Sequence, residues 1–116
     1  HAAYICGLGT FGLSKGIITR KGMAGRFASL VTSLELEADV RPYQGLYDYC
    51  IQCGQCIERC PVHAISAEGK EHLPCHNWLL HVKKHHAPRL GCGKCQTAVP
   101  CECGIPGDAG QRFHNL

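Results

Sequence analysis

With 116 residues, the chain is the size of one domain or part of a larger one, and it can bury only a modest core without some added staple. Its net charge of +3 is too weak to argue for or against a nucleic-acid partner. It contains neither an apolar run long enough to span a membrane nor a signal-peptide pattern.

In chain order, residues 1–38 are rich in glycine and apolar side chains and carry one cysteine, Cys6. Gly7, Gly9 and Gly12 superficially resemble a dinucleotide fingerprint. No full strand precedes them and no acidic residue follows at the right distance, so a tight turn is the expectation. Ile17–Thr19 reads as a short strand, 20–25 as a turn, and Phe27–Leu36 as a second strand completing a hairpin. Pro42 and Gly45 punctuate a linker, and Tyr43, Tyr47 and Tyr49 crowd ahead of Cys50. Glu71–His86 is the expected helix, with Pro74 in its first turn, an apolar face of Leu73, Cys75, Trp78, Leu79 and Val82, and Pro88 and Gly91 ending it. Lys83 and Lys84, beside His85 and His86, form the densest basic spot: a solvated helix end, or a docking patch for an acidic partner.

Ten cysteines in so short a chain mean a disulfide scaffold or a metal protein, and the spacing favours metal. Cys50, Cys53, Cys56 and Cys60, followed by Pro61, form C-x2-C-x2-C-x3-C-P. In this ferredoxin run three cysteines hold one 4Fe-4S cube and the fourth ligates the other. Cys92 and Cys95 form a further C-x2-C, Cys75 lies upstream on the predicted helix, and Cys101 and Cys103 follow. Two cubes need eight thiolates. With the remote Cys6 set aside as a buried, inert thiol, nine candidates remain, so either Cys101 or Cys103 is spare. Zinc also uses C-x2-C pairs, but four cysteines in one short run point to iron–sulfur chemistry. Two-residue gaps suit a disulfide framework poorly. His72 with His76 and His81 with His85 are i,i+4 pairs, but no H-E-x-x-H frame exists. Reduced cysteines predict a cytoplasmic protein.

The run from Ala3 to Gly12, the Ile17–Thr19 segment, and Val31–Leu34 followed by the ferredoxin run resemble the epoxyqueuosine reductase and reductive dehalogenase group. The segment from Gly91 to Glu102 resembles that group's second cluster motif, with a longer gap between Cys95 and Cys101 than the reductases have. The resemblance implies an α+β fold: a small ferredoxin-like double-cluster domain of short helices and loops, preceded by a short β-hairpin from a nitroreductase-like domain. Residues 1–38 would be the tail of a catalytic domain and 39–116 the double-cluster domain. It implies two 4Fe-4S clusters, one on Cys50, Cys53, Cys56 and Cys101 and the other on Cys60, Cys75, Cys92 and Cys95, with Cys103 spare. Single electrons would pass from an external donor, such as ferredoxin or flavodoxin, to a corrinoid held by an upstream catalytic domain, with Gly7, Gly9 and Phe11 touching that cofactor. The chain, which opens on His1, would then be a fragment: the electron-transfer part of an oxidoreductase, without catalytic residues of its own. The competing expectations are a free-standing ferredoxin-like carrier, and clusters or zinc in a purely structural role.

Overall fold

In the computed structural model, which describes residues 1–107, the first backbone pairing joins β1 (Gly9–Phe11) to β2 (Ile17–Thr19), antiparallel, with Gly9 opposite Thr19 and Phe11 opposite Ile17. A one-turn helix, α1 (Ala2–Ile5), precedes them. The glycine-rich run is therefore a strand where a tight turn was expected. A Cβ on Gly9 would lie 2.1 Å from the Ile18 carbonyl oxygen, so only glycine lets the strands approach this closely.

The expected strand over Phe27–Leu36 does not form. Those residues have no regular structure, and Leu30, Val31, Leu34 and Leu36 are all exposed. A strand needs a neighbouring edge for its backbone groups. Here the sheet stops at β1 and β2, and the apolar pattern of 27–36 covers no surface.

Three tyrosines and a threonine tie the hairpin to the segment that leads into Cys50. The Tyr49 amide donates to Thr10 Oγ1 at 2.9 Å, the Gly9 amide to the Tyr43 hydroxyl at 3.2 Å, and the Phe11 amide to the Leu46 carbonyl at 2.7 Å. The Tyr4 hydroxyl donates to the Gln44 carbonyl at 3.0 Å. Tyr43 and Tyr49 are buried and meet edge to face, 5.4 Å between ring centroids, whereas Tyr47 is exposed. Ile18, Met23, Tyr43, Tyr49 and Val99 form one core cluster, which joins the hairpin to both cysteine regions.

The remaining elements are α2 (Gln55–Glu58), the hairpin β3 (Ile65–Ser66) with β4 (Gly69–Lys70), and α3 (His72–His86). The β3–β4 hairpin has no alternating pattern in sequence and was not expected. Its turn is held by Ser66, whose hydroxyl donates to the Glu68 carboxylate at 2.6 Å and accepts the Glu68 amide at 3.2 Å. That hydrogen bond also holds the Glu68 carboxyl below its ordinary range. Helix α3 matches the expected span with Glu71 as its N-cap, but it is only half-settled. Cys75, Trp78, Leu79 and Val82 are partly buried, while Leu73 is exposed. A second core cluster of Leu13, Cys60, Ala64 and Ile65 packs beside it. Among the described residues the result is a small α+β domain of mostly short helices and two two-stranded hairpins. Among the described residues no helix is long and apolar enough to cross a membrane.

Candidate metal centres

Backbone handedness shapes the first cysteine loop. Gln52 (φ 52°) and Gly54 (φ 77°) both lie in the left-handed region, so the chain coils between Cys50, Cys53 and Cys56. Gly54 then caps α2, which carries Cys56. A Cβ on Gly54 would meet only Ile57 Cδ1, at 4.0 Å, so glycine is required there by the sign of φ rather than by lack of room. The helix ends at Arg59. Cys60 follows as the most buried of the cysteines, and its sulfur accepts the Ala64 amide at 3.2 Å.

Two cavities divide eight cysteines between them. Cys50, Cys53, Cys56 and Cys101 line a narrow one of about 20 Å³, together with Leu13, Met23, Val99 and other uncharged residues. Cys60, Cys75, Cys92 and Cys95 line a wide one of about 720 Å³, together with Trp78 and Leu79 from α3 and Lys70 from β4. Cys103 lines neither and is exposed. Cys6 is also exposed, contrary to the buried thiol expected, because it caps one-turn α1 at the surface. Cys50 and Cys56 pack against both core clusters, so the two cavities are neighbours.

The thiols carry the electrostatic signature of their burial. The Cys101 thiol is pushed up to about 11, chiefly by burial and further by Cys50, Cys53 and Cys56. Cys56 is raised by burial and then by Cys50 and Cys53. Cys95 is raised by burial, against which the Lys70 ammonium acts. Cys101 is also fixed from outside its own motif. Its S–H donates to the Met23 thioether at 3.2 Å, and its carbonyl and that of Glu102 share the Met23 amide at 2.9 and 3.1 Å.

Both donor sets suit a group that takes four soft thiolates. The wide cavity has room for such a group, and one of its wall residues, Trp78, has a buried indole N–H without a hydrogen-bond partner among the described residues. The narrow cavity, at about 20 Å³, is closed around its four cysteines and would have to open to admit such a group. Among the described residues no three Cys, His, Asp or Glu side chains gather closely enough to hold a single metal ion.

Of the glycine segment, Gly7 (φ 80°) and Leu8 line a third cavity of about 340 Å³ with Arg20, Lys21, Phe27 and Tyr49. Gly9 presses on β2, and Phe11 stacks on Tyr4 at 5.9 Å. The histidine pairs lie on α3 with stacked or tilted rings and exposed side chains, His72 with His76 at 5.6 Å and His81 with His85 at 4.3 Å.

The 4Fe-4S binding domain family matches residues 46–66, which include Cys50, Cys53, Cys56 and Cys60. The chain is 31% identical over 105 residues to an epoxyqueuosine reductase of Leadbetterella byssophila, covering 81% of this chain and 33% of that protein. It is 40% identical over 63 residues to the tetrachloroethene reductive dehalogenase of Desulfitobacterium hafniense, covering 53% of this chain and 11% of that protein. The figures for the enzyme of Dehalobacter restrictus are the same. The chain is a distant relative of these iron–sulfur and redox enzymes. It spans about a third of the reductase's length and about a tenth of the dehalogenases'. No solved structure matches it.

Proposed function

We propose that this chain is an electron-transfer module that holds two 4Fe-4S clusters and passes single electrons toward a reductase centre of corrinoid type. The observation that carries the reading is the division of eight cysteines between two adjacent cavities, four and four. Cys50, Cys53 and Cys56 would hold one cluster with Cys101, and Cys60 the other with Cys75, Cys92 and Cys95. This is the crossed pattern in which the last cysteine of the run serves the far site. When bound, the clusters would supply reversible one-electron storage. The protein's part is to present thiolates at fixed depth, to keep water from the inner site with Leu13, Ile18 and Val99, and to set the charge around the outer one with Lys70.

In this reading residues 1–38 belong with a nitroreductase-like catalytic domain and 39–116 form the cluster domain. The corrinoid is held by the catalytic domain, Gly7, Gly9 and Phe11 face it, and a ferredoxin or flavodoxin in the cytoplasm supplies the electrons. The resemblance to epoxyqueuosine reductases and dehalogenases supports this arrangement. Iron and acid-labile sulfide in anaerobically purified protein should each come to about eight per chain. Two zinc ions without sulfide would sink the proposal, and reversible reduction without unfolding separates electron transfer from a purely structural role.

A further inference from the structure

The two cysteine cavities differ sharply in charge. Among the described residues the narrow one has no charged side chain in its lining. The wide one is lined by Arg26, Lys70, Arg89 and Lys94, and among the described residues no carboxylate joins them. These four cations come from separate places in the chain: the loop after Met23, strand β4, the segment after α3 and the second cysteine loop. Helix polarity accounts for Lys83 and Lys84, which sit in the last turn of α3 and complement its carbonyl end. It does not account for four cations converging on one opening.

Lys70 is half-buried and acts on the Cys95 thiol, so it belongs to the interior of the site. Arg26, Arg89 and Lys94 are exposed and form the rim. Among the described residues no carboxylate of the cavity lining neutralises their guanidinium and ammonium groups, so the rim presents net positive charge. A one-sided charged rim around an opening raises the local concentration of an oppositely charged partner and orients it on approach.

We infer that the rim of Arg26, Arg89 and Lys94 is the docking surface for an acidic one-electron carrier protein, so electrons enter at the cavity of Cys60, Cys75, Cys92 and Cys95 and leave by way of the uncharged cavity. This rests on the cluster reading above. On docking, one electron passes from the reduced carrier to the oxidised group held by those four cysteines. The carrier is oxidised by one electron, and no bond is made or broken.

The test uses the whole chain, purified anaerobically, with a strongly acidic plant-type ferredoxin as probe. Affinity is measured by titration at several salt concentrations, and reduction by stopped flow. Arg26→Glu combined with Arg89→Glu should weaken ferredoxin binding at low salt by at least about tenfold and flatten its salt dependence. Arg26→Lys with Arg89→Lys keeps the charge and should bind like the unmodified protein. Reduction by methyl viologen radical, a small cation that needs no acidic docking, should not slow in either variant. Undiminished ferredoxin binding by the charge-reversed protein, with iron and sulfide intact, would overturn the docking surface alone. Absence of iron and sulfide from the unmodified protein would overturn the cluster reading and electron entry together.

Discussion

Met23 and Cys101, 78 positions apart, bring their sulfurs to 3.2 Å, and the Met23 amide reaches the Cys101 carbonyl at 2.9 Å. A residue just past the first hairpin thus fixes a cysteine near the end of the described chain. Met23 is buried in the core with Ile18, Tyr43, Tyr49 and Val99. Met23→Ala should destabilise the metal-free protein by about 2–5 kcal/mol and speed alkylation of Cys101. Met23→Leu keeps the volume and should cost less than about 1.5 kcal/mol. Urea denaturation and mass-resolved alkylation read both, and equal alkylation rates in all three proteins would contradict this link.

Gly22 is the hinge of the same junction. Its φ is 84°, and a Cβ there would fall 2.1 Å from the Glu102 carbonyl oxygen. That oxygen accepts both the Met23 and Ala24 amides at 3.1 Å. Gly22→Ala should therefore cost at least about 1–3 kcal/mol through backbone strain, with further loss as the junction parts. An unchanged urea midpoint would mean that the junction does not contribute to stability.

Single cysteine replacements should divide by cavity. Cys75→Ala should deplete the group held with Cys60, Cys92 and Cys95 and spare the other, whereas Cys101→Ala should do the reverse. Cys103→Ala should leave both. Iron content and the paramagnetic resonance of the reduced variants report the outcome. Loss of a cluster from the Cys103 variant but not from the Cys101 variant would reassign the ligand.

Raised thiols make the metal-free protein sensitive to alkali. Cys101 titrates near 11 in the folded chain against an ordinary 9.0, so the folded state holds that proton more tightly than the unfolded one. The associated stability is whole below about pH 9 and is lost as pH rises through about 11. Cys56 and Cys95 shift in the same direction. The urea midpoint should fall across this window and fall less in Cys101→Ser. A midpoint that climbed with pH would contradict the sign.

Trp78 tests the outer cavity by a different route. Its ring lines the wide cavity, its buried indole N–H lacks a partner among the described residues, and a donor that reached a cluster sulfur would favour the more negative, reduced state. Trp78→Phe keeps most of the ring and removes the donor. Iron content should hold, and the reduction potential of one of the two clusters should fall in a potentiometric titration. If neither potential moved, the indole would be no more than a wall.

The cysteine spacing by itself pointed to the class of chemistry, and the match of residues 46–66 to the 4Fe-4S binding domain family agrees with it. Four thiols in C-x2-C-x2-C-x3-C impose a loop whose sulfurs can serve little besides soft metal, whatever the rest of the chain does. Helix α3 was legible as well, because its propensities and its proline boundaries are local. What is not local was decided by tertiary structure. The spacing left Cys101 and Cys103 equivalent; Met23 and the turn at Gly22 draw Cys101 inward and leave Cys103 exposed. The glycine run gave no strand signal, since β1 exists only through its close approach to Ile18. Phe27–Leu36 carried a strand signal but forms no strand, since a strand exists only by pairing with a neighbour and that segment pairs with none. The cationic rim was invisible for the same reason: Arg26, Lys70, Arg89 and Lys94 are scattered along 69 residues and meet only where the folded chain opens the wide cavity.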